Sequence, residues 1–156
     1  MTPPRAAPKT LRANARVLLA RCPGWNGRLA ARRLTQIFEA ALAGTGLTFA
    51  QLTLMAQIAA ADDDTLAALT ERTGLEQSTL SRNLRMLERD GLVEIAVVEA
   101  DQRRRMVWLT ETGARRLEAA IPAWRQAQAT LDDGIADLAR ALAEAAQTLV
   151  RPGDGR

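Results

Sequence analysis

Between Gln77 and Arg89 the chain sets amide, hydroxyl and guanidinium side chains at helical spacing. Ser78, Arg82, Arg85 and Arg89 recur every three or four residues as one stripe, with Gln77, Thr79 and Ser81 near its N-terminal end. Leu80, Leu84 and Leu87 form the opposite stripe. Small hydroxyls permit close backbone approach, and Arg bonds guanine or phosphate with two prongs, so the polar stripe suits a DNA major groove. A merely solvated helix face would be polar too. A second cluster shifts that balance: Arg103, Arg104 and Arg105 stand in a row a short distance downstream. Like charges crowded at a turn repel, a cost that an anionic partner relieves. Asp101 is expected to orient Arg103 through a charge-assisted bond. A basic β tip of this kind suits phosphates or the minor groove.

The absences exclude most other chemistry. The 156 residues contain no His and no Tyr, one Cys (Cys22), and one Lys (Lys9) among 21 basic residues. Without His there is no Ser-His-Asp or Cys-His pair and no His-ligated metal. One Cys permits neither an intrachain disulfide nor a thiolate zinc site, and it points to a reducing compartment. Lys9 follows a Pro-rich stretch rather than a Gly-rich loop, so there is no P-loop. No catalytic residues, metal or cofactor are expected, and the chain is not expected to be an enzyme.

The net charge is +3, unevenly spread. Residues 1–38 hold eight basic residues and no acid, whereas residues 39–110 carry −4. That acidic balance favours a rival reading, a protein-interaction module that keeps the scaffold without binding DNA. The opening Met1-Thr2-Pro3-Pro4-Arg5 lacks a secretory apolar core, and no run reaches the roughly 18 apolar residues of a membrane span. A cytoplasmic protein with no membrane association is expected.

Residues 1–24 read as a mobile leader, Pro- and Ala-rich at first and closed by the breaker Cys22-Pro23-Gly24. Leu29, Leu34, Ile37, Phe38 and Leu42 then follow helical spacing, so 25–47 is the first long helix and its turn. Thr48 caps the next helix. The acids Asp62-Asp63-Asp64 suit the start of a third, where the backbone dipole favours negative charge. Gly74 divides a short helix from the longer one that carries the polar stripe, and Gly91 ends it in a left-handed turn. Val93, Ile95 and Val97 alternate with Glu94 and Ala96 as a strand. Asp101 to Arg105 reads as the hairpin tip, Met106 to Leu109 as the returning strand, and Trp108 as core. Thr110 caps a helical stretch running through Leu117, Ile121, Trp124, Leu131, Ile135, Leu138, Leu142 and Leu149, with a kink at Pro122 and a division at Asp132-Asp133-Gly134. The fold class is mainly α, a winged helix-turn-helix with a two-stranded β hairpin flanked by N- and C-terminal helices. The DNA-binding domain is 48–110, and 111–150 holds the C-terminal helices.

Five sequence stretches carry a family resemblance. Leu66-Ala67 with Thr73-Gly74-Leu75, Ser78-Thr79-Leu80-Ser81-Arg82, and Leu87-Glu88-Arg89-Asp90-Gly91-Leu92-Val93 resemble the MarR family of bacterial transcription regulators. Asp101-Gln102-Arg103 is similar to that family's wing signature, although Gln102 stands where many relatives carry Pro. Leu109-Thr110-Glu111-Thr112-Gly113 is similar to the start of its fifth helix. The resemblance spans about residues 26–149. It implies a homodimer on a palindromic DNA operator, commonly a repressor released by a small molecule or an oxidant. The apolar stripes of the flanking helices exceed what one winged helix covers, and a partner's terminal helices are the expected cover. DNA contacts are expected from Gln77, Ser78, Thr79, Ser81, Arg82, Arg85, Asp101, Arg103, Arg104 and Arg105.

Cys22 is open to two readings. Arg21 and Arg28 nearby would favour a reactive thiolate, and some members of the family sense peroxide through a cysteine near the start of the first helix. A small apolar residue packed under the dimer cap is the alternative. For an effector such as an aromatic acid, the resemblance places a pocket between the family's first, second and fifth helices. Trp25, Arg33, Met55 and Trp124 are the expected lining.

Overall fold

The computed structural model describes residues 9–98 and 101–148, with the side chains of 98, 101–104 and 146–148 outside that description. The elements run α1 (Lys9–Arg21), α2 (Pro23–Leu42), α3 (Phe49–Ala59), α4 (Leu66–Thr73), α5 (Gln77–Arg89), β1 (Val93–Val98), β2 (Asp101–Leu109), α6 (Glu111–Ala129) and α7 (Asp133–Thr148). The mainly α winged helix-turn-helix expected from the sequence is present.

Local chemistry sets most boundaries. Thr48 opens α3 with a reciprocal cap: its hydroxyl accepts from the Gln51 amide at 3.1 Å, and the Gln51 side chain accepts from the Thr48 amide at 2.9 Å. Thr65 caps α4 and Thr110 caps α6 through their hydroxyls. Gly74 (φ 61°) and Gly91 (φ 68°) supply the left-handed turns that end α4 and follow α5. Pro23 sits in the first turn of α2, where its missing N–H costs nothing. The long C-terminal stretch divides between Ala129 and Asp133, while α6 itself continues through Pro122. Leu149 lies outside the described residues.

The core lies where α2, α3, α4, α5, the hairpin and α6 meet. Leu42, Met55, Leu69, Leu80, Leu84, Leu87, Val93 and Val107 are almost fully enclosed. Burying a side chain of this size stabilises the fold by about 1.5–3 kcal/mol. The antiparallel hairpin pairs Val93 with Leu109 and Ile95 with Val107, which turns one face to the core. A bridge between Thr65 and Met106, and a bond from the Val107 amide to the Asp64 carbonyl at 2.9 Å, hook the hairpin onto the front of α4. Among the described residues, no helix is long and apolar enough to cross a membrane.

Three expectations are corrected. Residues 9–21 form helix α1 instead of continuing an irregular leader. Its Ala, Leu and Arg residues are strong helix formers, and no breaker intervenes before Cys22-Pro23. Asp101 to Arg105 lie on strand β2 rather than at a tip; residues 99–100 lie outside the described residues. Pairing resumes at Val98 with Asp101 across an irregularity after Val97, which pairs with Arg105. An exposed hairpin end needs no apolar alternation, so a row of Arg can be strand. Finally, Trp108 is half-buried on the hairpin face opposite the core strands, and its indole N–H donates to Glu94 Oε2 at 3.1 Å.

Candidate nucleic-acid interface

Helix α5 is amphipathic in the manner its spacing predicts. Leu80, Leu84 and Leu87 are 0–1% exposed and anchor the helix from beneath. Gln77, Ser78, Thr79, Arg82, Arg85 and Arg89 are exposed on the outside, with Ser81 half-buried at the edge. Gly74 fixes the turn from α4, so the core sets the direction of the polar stripe. The Glu76 side chain makes no cap bond to α5, while the Thr79 and Leu80 amides donate to the Glu76 carbonyl at 2.9 and 3.0 Å.

Two shallow depressions border this stripe. One, of about 480 Å³, lies along Gln77, Ser78, Ser81, Arg82 and Arg85. The other, of about 710 Å³, runs between α4, α5 and the hairpin past Asp63, Ala67, Thr70, Gln77, Ser81 and Arg105. A smaller crevice of about 220 Å³ is lined by both Arg85 and Arg105, with Glu88 beside them. The fold thus places an arginine of the hairpin and one of α5 on the walls of the same crevice. Ala67 and Thr70 were not anticipated as part of this surface; their positions on the outer side of α4, facing the turn, are the signal that would have found them. The side chains of Asp101, Arg103 and Arg104 lie outside the described residues, and with them the expected Asp101–Arg103 pair.

The expected effector residues separate. A depression of about 570 Å³ between α3 and α6 is lined by Leu52, Thr53, Ala56, Gln57, Leu117, Ile121, Trp124 and Arg125, among others. Only Trp124 of the expected set reaches it. Met55 is fully buried in the core, on the other side of α3. Trp25 and Arg33 are exposed on α2 and do not line the depression. Arg125 is the cation at its rim. Its signal in the sequence was the step Leu117, Ile121, Trp124-Arg125 along one helix face, facing the small residues Ala56, Ala59 and Ala60. Cys22 is half-buried between α1 and α2, at the N-cap position of α2, and its side chain caps nothing.

A profile described as MarR family matches residues 45–104. Over 76 residues the chain is 41% identical to the transcriptional regulator HosA of Escherichia coli, a match covering 49% of this chain and 56% of that protein. It is 31% identical over 99 residues to the transcriptional repressor NicR of Pseudomonas putida, covering 64% of this chain and 63% of that one. These matches span little more than half the length of the curated relatives. The structure of the M. tuberculosis transcriptional regulator MosR in complex with DNA is 34% identical, with a TM-score of 0.70, over 82% of this chain and 98% of that one. On this profile match and structural likeness, the chain belongs to the MarR family.

Proposed function

We propose that the protein is a homodimeric, sequence-specific DNA-binding transcription regulator that acts as a repressor on a palindromic operator. The observation that carries this reading is the α5 surface: three enclosed leucines aim Gln77, Ser78, Thr79, Arg82 and Arg85 outward, and the hairpin sets Arg105 on the same crevice as Arg85. Arg82 and Arg85 read base edges, Ser78, Thr79 and Ser81 allow close approach, and Arg103 to Arg105 meet phosphates or the minor groove. Asp101 is assigned the role of orienting Arg103 through a charge-assisted bond. The absence of His from the sequence supports a regulator and not an enzyme. Its place of action is the cytoplasm, with the chromosome.

Dimerisation follows from what one chain leaves uncovered. Leu11, Val17, Leu18 and Leu19 on α1, and Ile135, Leu138 and Leu142 on α7, are large apolar side chains between 44% and 61% exposed. A second copy covers these surfaces and places two α5 helices about 34 Å apart, one turn of duplex. The effector is a small aromatic acid seated between Leu52, Ile121 and Trp124, with Arg125 for its carboxylate; Cys22 offers an oxidant-sensitive route to the same release.

The test is selection of duplexes from a random pool, followed by footprinting of the enriched sequence. Enrichment of a palindrome, protected on two successive major grooves, is the expected result. A pool that stays random through repeated rounds refutes the proposal.

A further inference from the structure

The chain leaving α5 is tied to the start of α6 by both the hydroxyl and the amide of Thr110. Thr110 Oγ1 donates to the Gly91 carbonyl at 2.7 Å and accepts from the Gly113 amide at 2.9 Å. The Thr110 amide donates to the Leu92 carbonyl at 3.1 Å. Gly113 closes the joint by shape: a β-carbon on it would stand 1.9 Å from the Leu92 carbonyl oxygen. Gly91 and Leu92, just past α5, are tied to its last turn, since their amides donate to the Glu88 and Leu87 carbonyls at 2.9 Å each. An unbroken series of hydrogen bonds therefore links the last turn of α5 to the first turn of α6.

We infer that Thr110 is a positioning residue for DNA recognition, holding α5 at a fixed angle to α6 through its bond to the Gly91 carbonyl. The inference rests on the DNA-binding reading above. Base contacts require donor–acceptor distances within a few tenths of an ångström, whereas attraction to phosphates falls slowly with distance. A loosened joint therefore costs discrimination between sequences and leaves general DNA affinity in place.

The chemistry of the hydroxyl supplies the controls. Ser donates and accepts as Thr does. Val does neither. Asp caps a helix as well as Thr does but carries no proton for the Gly91 carbonyl, so Thr110→Asp keeps α6 capped and breaks only the joint.

Fluorescence anisotropy on the duplex selected by the wild-type protein, beside a random duplex of equal length, measures the effect. Thr110→Val and Thr110→Asp are expected to lose about tenfold in affinity for the selected duplex, the size of one hydrogen bond left unmade. Their affinity for random DNA stays at the wild-type level, and Thr110→Ser keeps full discrimination. Thermal unfolding establishes that Thr110→Asp is folded at the assay temperature. Undiminished discrimination by Thr110→Asp overturns the inference, as do parallel losses on both duplexes or failure of Thr110→Ser to match the wild type. If the wild-type protein itself selects no duplex, the DNA-binding reading fails, and the positioning role with it.

Discussion

The Glu39 carboxylate on α2 accepts a hydrogen bond from the Phe49 amide at 2.8 Å, ten residues further along the chain. That amide is the first of α3 and has no partner within its own helix. The adjacent residue of α2, Phe38, stacks its ring on Phe49 with centroids 4.6 Å apart. The corner between α2 and α3 is thus set by one ring pair and one cap. Glu39→Ala is expected to lower stability by about 1 kcal/mol, the ordinary worth of a helix cap, read as a lower midpoint in urea. An unchanged midpoint would mean that solvent serves that amide equally well.

Arg82 projects from the middle of the outer α5 stripe. If it reads a base, Arg82→Ala costs about 1–3 kcal/mol on the selected duplex and little on random DNA. Titration of both duplexes separates the roles, because equal losses on the two would make Arg82 a phosphate contact.

The wing arginines are assigned to the backbone or minor groove. Arg103→Ala and Arg105→Ala should each weaken binding and flatten the dependence of affinity on salt by roughly one unit of logarithmic slope. A series of titrations across salt concentrations measures this, and a slope equal to the wild-type value rejects the contact.

Leu138 is 61% exposed on α7 in the single chain. A charge there is harmless on a solvated helix but ruinous within an apolar interface. Leu138→Asp is expected to sediment as a monomer and to lose affinity for the palindrome. A variant that remains dimeric would place the two-fold interface elsewhere.

If the proposed effector is an aromatic acid, Arg125 and Arg33 are the rival partners for its carboxylate. Arg125 lines the depression beside Trp124, whereas Arg33 is exposed on α2. Calorimetric titration with benzoate should give a weakened signal for Arg125→Gln and a wild-type signal for Arg33→Gln. The reverse pattern would move the site to α2.

The amino-acid sequence alone determined the features that depend on neighbours along the chain. Thr48 and Thr110 are caps because a hydroxyl can reach an amide three residues on, and Gly74 and Gly91 turn left-handed because they lack a β-carbon. Leu80, Leu84 and Leu87 share one face of α5 because of helical periodicity, which also exposed Arg82 and Arg85 to view as a site. Tertiary structure decided what depends on contacts across the chain. Met55 was expected in a pocket and lies in the core, because periodicity identifies an apolar face without saying what it packs against. Arg125 and Arg105 gained their settings only when α3 closed on α6 and the hairpin closed on α4. The need for glycine at Gly113 likewise comes from the carbonyl of Leu92, brought within reach by a hairpin that separates the two in sequence. Local hydrogen-bond geometry is written in short spacings, whereas proximity between distant segments is a property of the packed core.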